Sequence, residues 1–392
     1  MKLGILATHP IQYQAPWFRA LAAHSQLDLQ VFFCHQATPQ EQGAAGFGVE
    51  FDWDVSLLDG YSHCFLRNVA ASPTISRFRG LDTPEIREII SRKRLDAVLV
   101  YGWNHRSAWQ AMRACWHTGT PLMVRSDSNL LAERSLQKRA TKWPLYRWFI
   151  PKIDACLPVG TWAREYFLHY GAKPERVFVV PHVIDDRYFS DQAVQLQSNR
   201  ETLRSRWSLD QDTLVFLFAG KFTETKRPMD FVRAIARAAN NNVKLTGLMV
   251  GDGPLRPLCE QFAQDNDLPI RFTGFLNQSQ ISQAYVAADA LVLPSESETW
   301  GLVVNEAMTC GRACLVSDRV GCGPDLIVSG KTGEIFCHGD IDELGRLMTQ
   351  WASKPERVSE MGDAARKKIA GHSVNAAVEV VCEAVKVVTE QR

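Results

Sequence analysis

The residues most suited to chemistry lie in Leu291–Gly311, which reads LVLPSESETWGLVVNEAMTCG. An apolar run ends at Pro294 and a polar loop follows. The pattern then predicts a helix from about Gly301 to Thr309, closed by Gly311. Glu298 sits just before that helix and Glu306 lies inside it. The open N–H groups around Trp300, Gly301 and Leu302 would favour an anion, typically a phosphate. Gly301 lets a ligand approach the backbone closely. A blander reading stands beside this one: Glu298 complements the helix dipole and Glu306 belongs to a solvated face.

A second segment, Leu214–Asp230, reads LVFLFAGKFTETKRPMD. Again an apolar run meets a glycine, Gly220, immediately before Lys221. Lys226 follows, and Pro228 opens the next helix. Two lysines flanking a loop at the carboxyl end of a strand can clamp a diphosphate, and in open α/β sheets ligands bind at that edge. Surface lysines are the alternative. Gly251-Asp252-Gly253 resembles a fragment of a dinucleotide fingerprint but lacks the third glycine, so a nicotinamide site is not expected. Asp52-Trp53-Asp54 has the form of a metal-binding DxD motif, though without supporting context, and reads as a surface loop. Cys310, Cys314, Cys322, Cys337 and His338 fall close together without a paired C-x-x-C, so buried thiols rather than metal ligands are expected.

Taken together, these loops resemble the donor half of glycosyltransferase family 4, the retaining enzymes of GT-B fold. Glu298-Thr-Trp-Gly-Leu-Val-Val-Asn-Glu306 matches that family's E-x7-E motif in spacing. Gly220-Lys221 with Lys226-Arg-Pro matches its glycine–basic…lysine signature. Gly251-Asp-Gly-Pro254, Phe272-Thr-Gly-Phe275 and Ser317-Asp-Arg-Val-Gly321 follow in family order, and Val179–Asp185 resembles the stretch closing the first domain. The resemblance implies a glycosyl transfer from a nucleoside-diphosphate sugar to a hydroxyl acceptor, on a glycan, a lipid-linked saccharide or a small molecule. Lys221 and Lys226 would hold the diphosphate and stabilise it as it leaves, and Glu298 would act beside the donor sugar. Gly220, Gly274, Phe275, Leu276, Thr299, Trp300, Gly301 and Leu302 would border the donor, and Glu306 would bind its ribose. No cofactor or divalent metal is needed, because lysines and a helix end carry the charge. Two alternatives remain: a sugar-nucleotide epimerase of the same fold, and a catalytically silent sugar-nucleotide-binding protein.

The acceptor is expected on the first domain. The loop after the first strand, Thr8–Gln14, lacks the glycines common in the family, and offers His9, Gln12 and Tyr13. Where many relatives carry a histidine, this chain has Val124-Arg-Ser-Asp-Ser-Asn129, so Arg125 and Asp127 are further candidates. Between 134 and 152, Arg134, Lys138, Arg139, Lys142, Arg147 and Lys152 mix with Trp143, Tyr146, Trp148 and Phe149. Basic residues beside aromatics suit either peripheral contact with a membrane or a first-domain helix with a solvated basic face.

These residues need a scaffold. Short apolar runs at Lys2–Ala7, Leu27–Phe33, Ala97–Tyr101 and Pro121–Val124 alternate with amphipathic stretches at Trp17–Ala23, Thr83–Arg92 and Ser107–Trp116. The series restarts with strands at Leu214–Ala219, Leu245–Val250, Ile270–Thr273 and Ala290–Leu293, separated by helices. Such alternation predicts an α/β protein with two doubly wound, Rossmann-like parallel sheets. The expected boundaries are an acceptor domain at 1–188, a linker at 189–208 marked by polar Ser190–Arg200, a donor domain at 209–370, and a final helix from 371 to 392. That helix would be capped by Ser373 and would pack its valine stripe toward the first domain.

The 392 residues carry 44 Lys+Arg against 43 Asp+Glu, a net charge of +1 that argues against a nucleic-acid binder. Residues 1–190 carry +5 and the remainder −4, so the acceptor half is the cationic one. Ten cysteines, no apolar run of membrane-span length and no secretory signal at Met1–Ala7 point to reduced thiols and a cytoplasmic protein.

Overall fold

The computed structural model describes all residues except 44–47, 132–135, 242 and 391–392, and of 136–140 only the backbone. Contacts divide the chain into two units. One comprises Met1–Ala37, Ser56–Val183 and Ser373–Arg392, the other Thr38–Val55 and Ile184–His372.

The first unit is built on β1 (Lys2–Ala7), β2 (Asp28–Phe33), β3 (His63–Phe65), β4 (Ala97–Tyr101), β5 (Leu122–Ser126) and β6 (Ala155–Pro158). These six pair in parallel in the order β3-β2-β1-β4-β5-β6. The second contains β7 (Leu214–Ala219), β8 (Leu245–Val250), β9 (Ile270–Gly274), β10 (Ala290–Leu293), β11 (Ala313–Ser317) and β12 (Gly333–Phe336), in the order β12-β11-β10-β7-β8-β9. Both sheets start in the middle, run outward on one side, then return to run outward on the other. Each therefore has a switch point, between β1 and β4 in the first sheet and between β7 and β10 in the second.

The central strands read as unbroken apolar runs because helices cover both faces. All six residues of LVFLFA in β7 and of LTGLMV in β8 are buried. Four strands lie outside the alternating series read from the sequence: β3, β6, β11 and β12. β3 and β12 are short sheet edges with partly exposed residues, so they lack the apolar signature. β6 is only four residues long. β11 meets the apolar criterion fully and extends the series.

The polar stretch expected as a linker is helical. Asp185 caps the helix Asp186–Gln197 by accepting from the Tyr188 amide at 3.1 Å, and Arg200–Arg206 follows. Its apolar anchors Phe189, Ala193 and Leu203 are too widely spaced to show as a run, and all three are buried. Arg204, 4% exposed, ties the stretch to the second unit through the Ala287 carbonyl at 3.0 Å and Asp289 at 2.6 Å. Polarity here marks one solvated helix face.

The last helix, Val374–Glu390, is capped by Ser373, whose Oγ accepts from the Ala376 amide at 3.2 Å. Val378, Val381, Val385 and Val388 are buried in a cluster with Trp17, Phe18 and Leu21 of the helix Ala15–Ala23. Among the described residues, no helix is long and apolar enough to cross a membrane.

Candidate active site

At the second unit's switch point, β7 delivers Gly220-Lys221-Phe222. Phe222 is fully buried with its ring 5.5 Å from Phe218, so the loop is pinned from beneath. The Gly220 amide donates to Val250 O at 3.0 Å and the Phe222 amide to Asp252 O at 2.9 Å. This close approach explains Gly251: its φ is +124°, and a Cβ there would stand 1.9 Å from the Gly220 carbonyl oxygen. The Gly-Asp-Gly fragment is thus a packing solution between neighbouring loops. Glu224–Lys226 makes one 3-10 turn, and Arg227 takes a left-handed conformation held by Asp230 at 2.5 Å and Glu296 at 3.3 Å. Pro228 then opens the helix Pro228–Ala239.

β10 delivers the facing loop, which is strapped on both sides. The Glu296 amide reaches Thr225 O at 2.9 Å on the β7 side. On the β11 side, the Gly321 amide donates to Glu298 O at 3.0 Å and the Cys322 amide to Trp300 O at 2.9 Å. Gly301, at φ +99°, turns the chain into the helix Leu302–Thr309; a Cβ there would press on Leu293 and Val320 at 3.1 Å. The first turn of this helix holds no acidic residue, so its positive end is not neutralised from within.

These loops bring Lys226 and Glu298 into a salt bridge, with side chains 23% and 15% exposed. Burial, together with the like charge of Lys221, pulls the Lys226 ammonium down to about 8; burial alone lowers Lys221. Two cations held in a half-buried place make a strong locus for a dianion, because screening by water is reduced. Thr299 is exposed at the loop tip, and Trp300 is buried with its Nε1 donating to Asn305 at 2.9 Å. Glu306 is 2% exposed and accepts from the Tyr285 hydroxyl at 2.6 Å. The solvated-face reading of Glu306 is therefore wrong: its carboxylate is an oriented, buried acceptor.

Two strands from β7, Gly274 (φ +76°) ends β9, and Phe275 and Leu276 begin the loop after it. Nothing in the sequence hints at what lies against it. The Phe51 ring sits 4.5 Å from that of Phe275, and the Asn277 side chain donates to Asp52 O at 2.7 Å. Asp54 accepts from the Ser279 amide at 3.1 Å and from its hydroxyl, at the start of the helix Gln278–Ala287. Both aspartates of the DxD are exposed, yet Asp54 is engaged with a helix N-terminus.

In the first unit, Thr8 and His9 share a contact at 3.0 Å, and His9, Gln12, Tyr13 and Asp127 are all half-buried around the ends of β1 and β5. Arg125 departs from its expected role. It is 4% exposed, its guanidinium donates to Val180 O at 3.1 Å and Pro181 O at 2.9 Å, and it stacks over the Trp17 ring at 4.9 Å. Arg125 fastens the 180–181 segment to β5, so it is not an exposed acceptor ligand. Burial and Arg125 push the neighbouring His182 down to about 3, keeping it neutral. The loop after β4, unremarked in the sequence, shares this switch point: Gly102 has φ +63° and Trp103, 5% exposed, accepts through its carbonyl from Trp109 Nε1 at 2.9 Å.

Cys310, Cys314 and Cys322 are buried, and burial raises all three thiols. Cys337 is exposed and groups with Asp318 and His338, their ligand atoms within 4.8 Å of one another. Arg319 Nε stands 3.3 Å from His338 Nδ1, a placement that opposes a cation. In the 134–152 segment, Arg134 lies outside the described residues, and of Lys138 and Arg139 only the helical backbone is described.

Comparison with known proteins places this geometry. Residues 11–182 match the glycosyl transferase 4-like domain and residues 199–368 match glycosyl transferases group 1. A D-inositol 3-phosphate glycosyltransferase of Streptomyces coelicolor is 32% identical over 223 residues, 52% of this chain and 49% of that protein. An N-acetyl-alpha-D-glucosaminyl L-malate synthase of Bacillus anthracis is 29% identical over 182 residues, 46% and 47% of the two chains. The chain thus spans about half the length of the curated relatives it matches. Among solved structures, a glycosyltransferase from Rickettsia africae superposes with a TM-score of 0.75 at 15% identity, covering 99% of this chain and 98% of that one. Anabaena HepE, solved with UDP and glucose, gives 0.70 at 15% identity over 99% and 100% of the two chains. With a glycosyl transferase 4-like domain followed by a group 1 domain, each on its own doubly wound sheet, the chain belongs to the family 4 glycosyltransferases of GT-B fold.

Proposed function

We propose that this protein is a retaining glycosyltransferase that moves a sugar from a nucleoside-diphosphate sugar to a hydroxyl acceptor without a divalent metal. One observation carries the reading. Lys221, Lys226, Glu298 and the amino end of a helix with no acidic residue in its first turn meet at one switch point, on two separately strapped loops. In this reading Lys221 and Lys226 hold the diphosphate as the anomeric C–O bond breaks and its electron pair departs onto phosphate oxygen. Charge placed in advance where charge develops is usually the largest catalytic contribution. Glu298 keeps the two lysines together by offsetting their repulsion and faces the sugar. Glu306, oriented by Tyr285, accepts from the ribose hydroxyls, and the loop around Phe275 and Leu276 borders the base. The spacing supports this: β7 and β9 lie two strand spacings apart, roughly 10 Å, suited to a diphosphate at one end and a base at the other. The acceptor oxygen attacks from the face the diphosphate leaves, and its proton passes to the departing phosphate.

On the acceptor side, His9, Gln12, Tyr13 and Asp127 select the hydroxyl. The exposed Trp143 and Trp148, with Lys152 stacked 3.9 Å from the Trp148 ring, support peripheral contact with an anionic membrane on its cytoplasmic face. The test is thermal shift against UDP, GDP, ADP and TDP sugars with and without magnesium, followed by NMR of the product's anomeric linkage. Stabilisation by one nucleotide in EDTA with retained configuration is expected. An inverted product, strict magnesium dependence or an epimerised sugar from donor alone would each overturn a part of the reading.

A further inference from the structure

A second cationic site lies in the same unit, away from the donor loops. A cavity of about 600 Å³ is lined by Arg200, Arg312 and Arg366 together with Asp289 and Asp363. The carboxylate of Asp289 is already engaged: one oxygen is 2.6 Å from Arg200 and the other 2.6 Å from Arg204. Arg366 spends one donor on the Cys310 carbonyl at 3.4 Å, at the carboxyl end of the helix Leu302–Thr309. Among the described residues Arg312 has no such engagement, and its Nε is buried without a hydrogen-bond partner. Burying a guanidinium donor unsatisfied is costly, and three arginines crowding one cavity add mutual repulsion. The repulsion registers on Arg312, which burial and the charges of Arg200 and Arg366 pull down to about 10.

We propose that this cavity is a binding site for a soluble phosphate-bearing anion, with Arg312 as its central ligand. A phosphate oxyanion satisfies the orphaned Nε, offers further acceptors to Arg200 and Arg366, and removes the like-charge strain at once. The cavity has the size of a small-ligand pocket, so inorganic phosphate would fill only part of it and a phosphorylated small metabolite fits the remainder. The site is separate from the donor loops: it lies at the carboxyl end of the helix whose amino end is Gly301, about 12 Å away along eight residues.

The experiment titrates inorganic phosphate by thermal shift and calorimetry at an ionic strength fixed with sodium chloride, using full-length Lys226→Ala protein so that the donor lysine pair is broken. The expected result is saturable stabilisation that survives Lys226→Ala and weakens at least tenfold in Lys226→Ala/Arg312→Gln. Without phosphate, Arg312→Gln should melt at or above its parent, because it removes an unsatisfied buried charge. Arg366→Gln is the second probe, expected to weaken phosphate several-fold. Stabilisation abolished by Lys226→Ala would assign the phosphate to the donor loops and overturn the proposal. So would stabilisation indifferent to both arginine variants. Arg312-dependent binding to phosphatidylglycerol vesicles with no response to soluble phosphate would replace the soluble ligand with a lipid headgroup.

Discussion

The two switch points are built on the same topology and filled with different chemistry. At β7/β10 the loops carry the Lys226–Glu298 salt bridge, with Lys221 close enough for its charge to act on Lys226, and backbone hydrogen bonds strap each loop to its neighbours. At β1/β4 the loops carry His9, Gln12, Tyr13 and Trp103, and the nearby cation Arg125 is consumed by carbonyls. A diphosphate is the same in every nucleotide sugar, so the residues that hold it can be few, charged and rigidly placed. In the proposed reading an acceptor hydroxyl has no such constant charge, and hydrogen-bonding side chains, Asp127 among them, serve for it.

The sharpest way to break this contrast is Lys226→Ala. Loss of a charge aimed at the leaving group should lower kcat on the order of 10²–10³-fold, with circular dichroism unchanged. A loss below tenfold would place the chemistry elsewhere. Arg125→Ala should act on the opposite axis: it frees the Val180 and Pro181 carbonyls and removes the Trp17 stack, so urea melts should show about 3 kcal/mol of destabilisation. If stability holds while acceptor KM rises, Arg125 belongs to the acceptor site after all.

Glu306→Gln should raise donor KM about tenfold, since a charged acceptor is replaced by a neutral one. Tyr285→Phe should give a smaller rise in the same direction. Equal effects on donor and acceptor KM would blur the distinction between the two sites. The pH dependence sharpens it further. Lys226 in the folded protein titrates near 8, below its ordinary value of 10.5. Donor affinity should therefore fall as pH rises through about 8, and Lys226→Arg should flatten that fall. Stability should move the other way between about 8 and 10.5, because the unfolded chain still holds the proton that the folded chain has released. Acceptor KM in Asp127→Asn should change only a few-fold, the smallest effect of the set, with donor KM untouched.

The proposed donor site was legible in sequence because it is built from residue types that are unusual where they stand. Lysine next to a strand-ending glycine, and glutamate eight positions from glutamate, stand out against an apolar background. The straps were not legible, since Thr225 O, Glu298 O and Trp300 O are backbone atoms that any sequence supplies. Phe51 escaped for another reason. It lies more than 220 residues before Phe275, and aromatic residues have no spacing rule across such a separation. Ser190–Arg200 misled because only Ala193 within it is a buried apolar anchor, the others, Phe189 and Leu203, falling outside its ends, and so it resembles a polar linker.

By itself the sequence determined the two alternating series, the glycine-to-lysine and glutamate spacings at the strand ends, and the valine stripe of the last helix. These are local: each follows from periodicity or from residue types a few positions apart. Only the tertiary structure decided the strand order that puts the β7 and β10 loops side by side, the burial that turns Glu306 into an oriented acceptor, the diversion of Arg125 into packing, and the gathering of Arg200, Arg312 and Arg366 around one cavity. The reason is physical. Charge, burial and hydrogen-bond partnership are properties of neighbourhoods, and these neighbourhoods are assembled from residues tens to hundreds of positions apart in the chain.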